Sequence, residues 1–168
     1  MRSIIAEPLT AEAFASFGMV LENRGPDRRA YCAVAFEAEA PAQPCLWVNR
    51  DTPRVSLPLL VTRLERHPWS AQSFVPLGAG RYLIIVAHAI AAGAPDPLTM
   101  RAFVAAGQGV CYRRNIWHHG MAVLDEDASF VVMMATMGHA DDDVFLDLAD
   151  PVRIVPVRVD APREGTTA

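Results

Sequence analysis

Histidine is the side chain whose proton exchange falls nearest neutral pH. Three of the chain's five histidines sit in two short stretches, LERHPWSAQSFVPL (residues 64–77) and GQGVCYRRNIWHH (residues 107–119). On an extended strand, residues two apart share a face. Glu65 and His67 therefore project together, while Arg66 points away. Gln72, beyond Pro68, can return to the same pocket across a bend. In Trp117-His118-His119 the alternation sets His118 against both neighbours. The inward set is then Glu65, His67, Gln72 and His118, a mixture of oxygen and nitrogen electron-pair donors that suits a divalent metal. Its two histidines also suit general acid–base catalysis.

Two such strands, far apart in the chain, can face each other only if the sheet closes, as in a small β-barrel. The mouth of such a barrel is a frequent small-molecule site. The rest of the chain fits this mainly β reading. Short strand patterns fall at 19–22, 31–36, 46–49, 59–67, 73–76, 82–87, 100–104, 109–112, 121–124 and 130–137, separated by turn residues. LTAEAFASFG (residues 9–18) predicts a short N-terminal helix, with Thr10 as its cap and Gly18 at its end. Residues 141–148 read as a short helix and 152–159 as a last strand.

The 168 residues, 52% of them apolar, suffice for one folded unit over 1–160, with 161–168 a frayed tail. A formal charge of −4, with no basic run longer than Arg28-Arg29 or Arg113-Arg114, argues against a nucleic-acid binder. The opening residues are too short in apolar character for a signal peptide, and no stretch has the length of a membrane span. Cys32, Cys45 and Cys111 form an odd set without CxxC spacing, which reads as reduced thiols in a cytoplasmic protein.

The motif spacing resembles the cupin superfamily, a jelly-roll type of β-barrel. His67 falls on the second histidine of the first cupin motif, and His118 on the histidine of the second, which Gly107 opens. Glu65 stands in place of the first histidine, Gln72 near the glutamate and Asn115 at a glycine. A closer resemblance covers most of the chain. VNR (residues 48–50), LPLLVTRLERHPWSAQSFVPL (57–77), RYLIIVA (81–87), RAFVAAGQGVCYRRNIWHH (101–119) and GHADDDV (138–144) resemble the ureidoglycolate lyase family. The chain departs from that family at Gly120, where proline is usual, and at Asp141-Asp142-Asp143, where a mixed triplet is usual.

The resemblance implies a cytoplasmic homodimer that cleaves (S)-ureidoglycolate to glyoxylate and urea. The substrate is a small carboxylate with a hydroxyl and a ureido nitrogen on one carbon. Its cleavage needs a base for the hydroxyl proton and an acid for the departing nitrogen, roles assigned to His67 and His118. Gln72 and Tyr112 would orient the substrate, and Arg101 and His119 would bind it, Arg101 through its fork on the carboxylate. A weakly held divalent ion such as Ni2+ would sit on Glu65, His67, Gln72 and His118. His88 and His139 read as packed histidines, Trp117 as packing, and Asp141–Asp143 as the acidic first turn of a helix. Two alternatives stay open: another small-acid cupin enzyme, such as a metal-dependent isomerase or dioxygenase, and a non-catalytic cupin that binds a small acid.

Overall fold

The computed structural model describes residues 1–50 and 52–157. In chain order the elements are β1 (Arg2–Pro8), α1 (Ala11–Phe14), β2 (Gly18–Leu21), β3 (Gln43–Asn49), β4 (Leu59–Arg66), β5 (Gln72–Pro76) and β6 (Arg81–Ala87). There follow β7 (Arg101–Ala106), β8 (Gly109–Tyr112), β9 (Trp117–His118), β10 (Ala122–Val123), β11 (Phe130–Thr136), a 3-10 turn (Ala140–Asp142) and β12 (Val144–Pro156). The larger sheet has the order β10-β6-β7-β1-β12-β4-β9, and β9 pairs again with β6, so the sheet closes into a barrel. The smaller sheet is β2-β8-β5-β11-β3. The architecture is the mainly β closed barrel that the strand spacing predicts.

At β6 the larger sheet is buried on both faces. One face packs Ile84, Val86 and Phe103 against Phe74, Val110, Tyr112 and Val132 of the smaller sheet, with Phe14 of α1 wedged among them. The other face packs Leu83, Ile85, Ala102, Val61, Leu64, Ile154 and Trp117 into a second core. This is why β6 carries an unbroken apolar run from Tyr82 to Ala87, all of it buried.

Four segments differ from the sequence-based expectation. Thr10 does cap α1, its hydroxyl accepting from the Ala13 amide at 3.1 Å, but the helix ends at Phe14. Gly18 opens β2 instead, because a Cβ there would lie 1.9 Å from the Cys111 carbonyl oxygen of β8. Residues 31–36 form no strand. Val34 and Ala35 tuck against Ala71 and Cys111 in a turn, and pairing nearby is limited to a bridge between Ala38 and Ser70. Residues 141–148 are not helical beyond the 3-10 turn. Val144, Leu146 and Leu148 pack against the second core while Phe145 and Asp147 stay exposed, a period of two that pairs β12 with β4. β1 is a strand that the sequence reading passes over; it lies in parallel between β12 and β7.

β12 reaches Pro156, and the remainder of the expected 152–159 strand and the 161–168 tail lie outside the described residues. Among the described residues, no helix is long and apolar enough to cross a membrane. Phe103 is fully buried between the aromatic rings of Phe14 and Phe17. Phe103→Ala is expected to cost about 3–5 kcal/mol, read as a lower urea midpoint at unchanged slope.

Candidate active site

β4 delivers Glu65 on its inner face, and His67 follows at the strand's end. Across the sheet Glu65 is paired with His118 of β9. The same row continues through Val86 of β6 to Arg101 of β7, so all four residues share a face. On the opposing sheet Gln72 of β5 is the cross-strand partner of Tyr112 of β8. The Tyr112 ring stacks on His118 with centroids 4.4 Å apart, and the His67 ring lies 5.1 Å from His118.

Hydrogen bonds fix which nitrogen of each ring is bare. His118 Nδ1 lies 3.0 Å from the Ile116 carbonyl, which can only accept, so Nδ1 carries the hydrogen and Nε2 the lone pair. His67 Nδ1 meets the Asp142 carbonyl at 3.1 Å and Asp143 Oδ1 at 2.9 Å, so in the neutral ring Nδ1 again carries the hydrogen and Nε2 the lone pair. Both Nε2 atoms, Gln72 Oε1 and the Tyr112 hydroxyl are buried without a hydrogen-bond partner. Glu65 Oε1 stands 3.5 Å from His118 Nε2, within ion-pair range but not aligned as a hydrogen bond. The ligand atoms of Glu65, His67 and His118 all lie within 4.8 Å of one another, a group able to hold a metal ion.

Burial sets the charge state. It lowers His118 to about 3, aided by the neighbouring His67 ring and resisted by the Ile116 carbonyl. Burial also raises Glu65; His67 offsets this in part and Asp143 adds to it. The Tyr112 hydroxyl is pushed well above its ordinary value, first by burial. Of the trio Glu65, His67 and His118, Glu65 has the most exposed side chain, at 20%, against 5% and 1%. It also lines a cavity of about 320 Å³ with Arg63, His119, Gly120 and Phe145.

The structure thus brings Glu65, His67, Gln72, Tyr112 and His118 together. His119 points to the cavity beside Glu65, with its Nδ1 donating to the Gly120 carbonyl at 2.6 Å and its pKa lowered by burial. Arg101 shares the inner face but is engaged, pairing with Glu7 at 2.5 Å and donating to the Ala13 carbonyl at 3.1 Å. Arg63 pairs with Asp147 and Arg66 with Asn115, so neither arginine neutralises Glu65. His88 stacks on Phe17 as packing, whereas His139 lies on the surface. Asp142 and Asp143, which the sequence suggests only as a helix start, are instead the partners of His67. The acidic run itself was the available signal.

A closed β-barrel with two buried imidazoles and a carboxylate converging inside it defines a small-molecule site built for proton or metal chemistry. A profile of the ureidoglycolate lyase family matches residues 1–154. The chain is 34% identical over 170 residues to a ureidoglycolate lyase of Stutzerimonas stutzeri, covering 95% of this chain and 99% of that one. It is 38% identical over 159 residues to one of Azotobacter vinelandii, covering 86% and 93%. A Burkholderia mallei ureidoglycolate lyase is 39% identical over 144 residues, covering 79% and 82%. The chain belongs to the ureidoglycolate lyase family. Among solved structures, RmlC from Streptococcus suis overlaps in part, with a TM-score of 0.40, 14% identity and coverage of 58% of this chain and 45% of that one.

The state of His118 has a consequence for stability. Between its ordinary 6.5 and about 3, the unfolded chain binds a proton that the folded chain refuses. Stability must therefore fall as pH drops through that window. In chelator, the wild type should lose stability toward acid more steeply than His118→Asn, by up to about 1.4 kcal/mol per pH unit. Urea unfolding at stepped pH measures both slopes, and equal slopes would contradict a neutral buried ring.

Proposed function

We propose that the chain cleaves (S)-ureidoglycolate to glyoxylate and urea by acid–base elimination in this barrel, and that it works as a cytoplasmic homodimer. The family supports the overall reaction. One observation carries the chemical reading: hydrogen-bond acceptors at Glu65, His67 Nε2 and His118 Nε2 converge with no hydrogen donor between them. Such a set is stable in a buried place only when it faces a proton donor or a cation. The hydroxyl of the substrate is a donor of that kind.

His118 Nε2, bare and neutral, accepts the hydroxyl proton as the carbonyl forms and the carbon–nitrogen bond breaks. That proton passes by way of the Glu65 carboxylate, which lies within reach of both rings, to His67 Nε2, which hands it to the departing nitrogen and is bare again. The atoms balance without water, since one proton leaves oxygen and one reaches nitrogen. Gln72 Oε1 and the Tyr112 hydroxyl, both unpartnered, orient the ureido group. Arg101 takes the carboxylate by exchanging Glu7 for it, with His119 at the mouth.

The same lone pairs suit a divalent ion such as Ni2+, which Glu65, His67 and His118 would hold with Gln72 beside them. Such an ion would supply Lewis-acid polarisation of the substrate oxygens. Lone pairs given to an ion are not available for proton transfer, so the two uses exclude each other at any one nitrogen. A row of half-exposed valines, Val48, Val131 and Val75, across the outer face of β3, β11 and β5 supports the dimer.

His67→Ala and His118→Ala should each lower kcat at least about 10²-fold, whereas Arg101→Lys should mainly raise KM. Folded histidine variants with wild-type turnover would overturn the assignment. Added Ni2+ should raise the Tm of chelator-stripped wild type, corresponding to about 2.7 kcal/mol at a hundred times Kd, and leave the Tm of His118→Ala unchanged. An unshifted wild-type Tm would remove the ion from the account.

A further inference from the structure

His67 is held from a distance. The acceptors of its Nδ1 hydrogen come from residues 142 and 143, beyond β11. The segment that brings them is built for the purpose. The buried Asp142 carboxylate accepts from the amides of Met137 at 2.7 Å, Gly138 at 2.8 Å and His139 at 3.0 Å. These three bonds outweigh the burial that would otherwise raise the Asp142 pKa, and hold it below its ordinary value. Gly138 turns the chain at φ +74°, a conformation that costs glycine little. With its carboxylate committed to that turn, Asp142 presents its carbonyl to His67, and Asp143 presents its carboxylate to the same nitrogen.

We infer that residues 137–143 form a clasp that positions the His67 ring, with Asp142 and Asp143 acting on the reaction only through that ring. A free imidazole exchanges between two tautomers and can rotate about its χ angles. The clasp removes both freedoms, because only an Nδ1–H can satisfy two acceptors at that atom. Nε2 is thereby left bare and aimed at Glu65 and His118. Asp142 shapes the turn, and Asp143 adds a charged acceptor whose side chain is exposed and contributes little to the core. Groups that orient a functional histidine in this way typically matter by about 10–100-fold.

The turnover consequence rests on the lyase reading; the ring consequence does not, and the experiment keeps them apart. The ring nitrogens of 15N-histidine-labelled, chelator-stripped protein are observed by long-range NMR, with His67→Gln identifying the His67 signals. Wild type should show one His67 tautomer, with Nδ1 protonated and Nε2 bare. Asp142→Ala/Asp143→Ala should show both tautomers and a kcat lower by about 10–100-fold at little changed KM. Asp143→Asn keeps an acceptor oxygen and should retain the single tautomer, and the singly substituted Asp143→Ala covers the case in which the double variant fails to fold. A folded double variant with wild-type ring signals, or with mixed tautomers and wild-type kcat, would overturn the clasp; so would Asp143→Ala with unchanged kcat if the double variant does not fold. Wild-type protein that leaves ureidoglycolate intact would overturn the lyase reading alone, since the ring signals still decide whether the clasp holds His67.

Discussion

The site depends on a strand of two residues. β9 lies between β4 and β6, and its pairing with both closes the larger sheet. That closure sets Glu65 opposite His118 and carries the row on to Val86 and Arg101. A shift of one residue would turn His118 away from Glu65 toward the second core and Trp117 toward the site, because alternation gives every strand residue one of two faces. The register is held by what surrounds β9. Trp117 fills the second core and donates to the Gly93 carbonyl at 3.0 Å, while Arg66 stacks over its ring. Asn115, just before the strand, adopts φ 63° and donates its amide to the His67 carbonyl, tying the start of β9 to the end of β4.

Placing histidines in so dry an interior decides their chemistry. A charge is costly there, so His118 stays neutral and offers a lone pair. Each ring spends its hydrogen on a partner on the protein side, which leaves the cavity side rich in acceptors and poor in donors. Gln72 Oε1 continues that pattern, and the Tyr112 hydroxyl supplies a donor at its edge. A ligand that brings one acidic hydrogen or one positive centre meets its complement there. A carboxylate alone would not, and the cationic fork that could receive it lies along the row at Arg101.

Much of this was legible in the sequence because it depends on local alternation. The spacing of Glu65 and His67, the break at Pro68 before Gln72, and the single inward place for His118 all follow from a period of two. The apolar run of β6 likewise announces a strand buried on both sides. Features set by distant partners were not legible. β1 is mostly exposed along its length and exists because β12 and β7 flank it. Asp141–Asp143 have the composition of a helix start, yet the packing of Val144, Leu146 and Leu148 draws the chain into β12. The engagement of Arg101 by Glu7 likewise joins two segments that no local pattern connects.

The elimination proposed for these converging acceptors leaves no part for water. Its most direct test is product analysis with racemic ureidoglycolate in 18O-labelled water. Half the racemate should be consumed, giving glyoxylate and urea in equal amounts, no ammonia, and no label in the urea oxygen. Ammonia released in step with glyoxylate, or label carried into a carbonyl product of the ureido group, would mean that water attacks the substrate and would rule out the elimination.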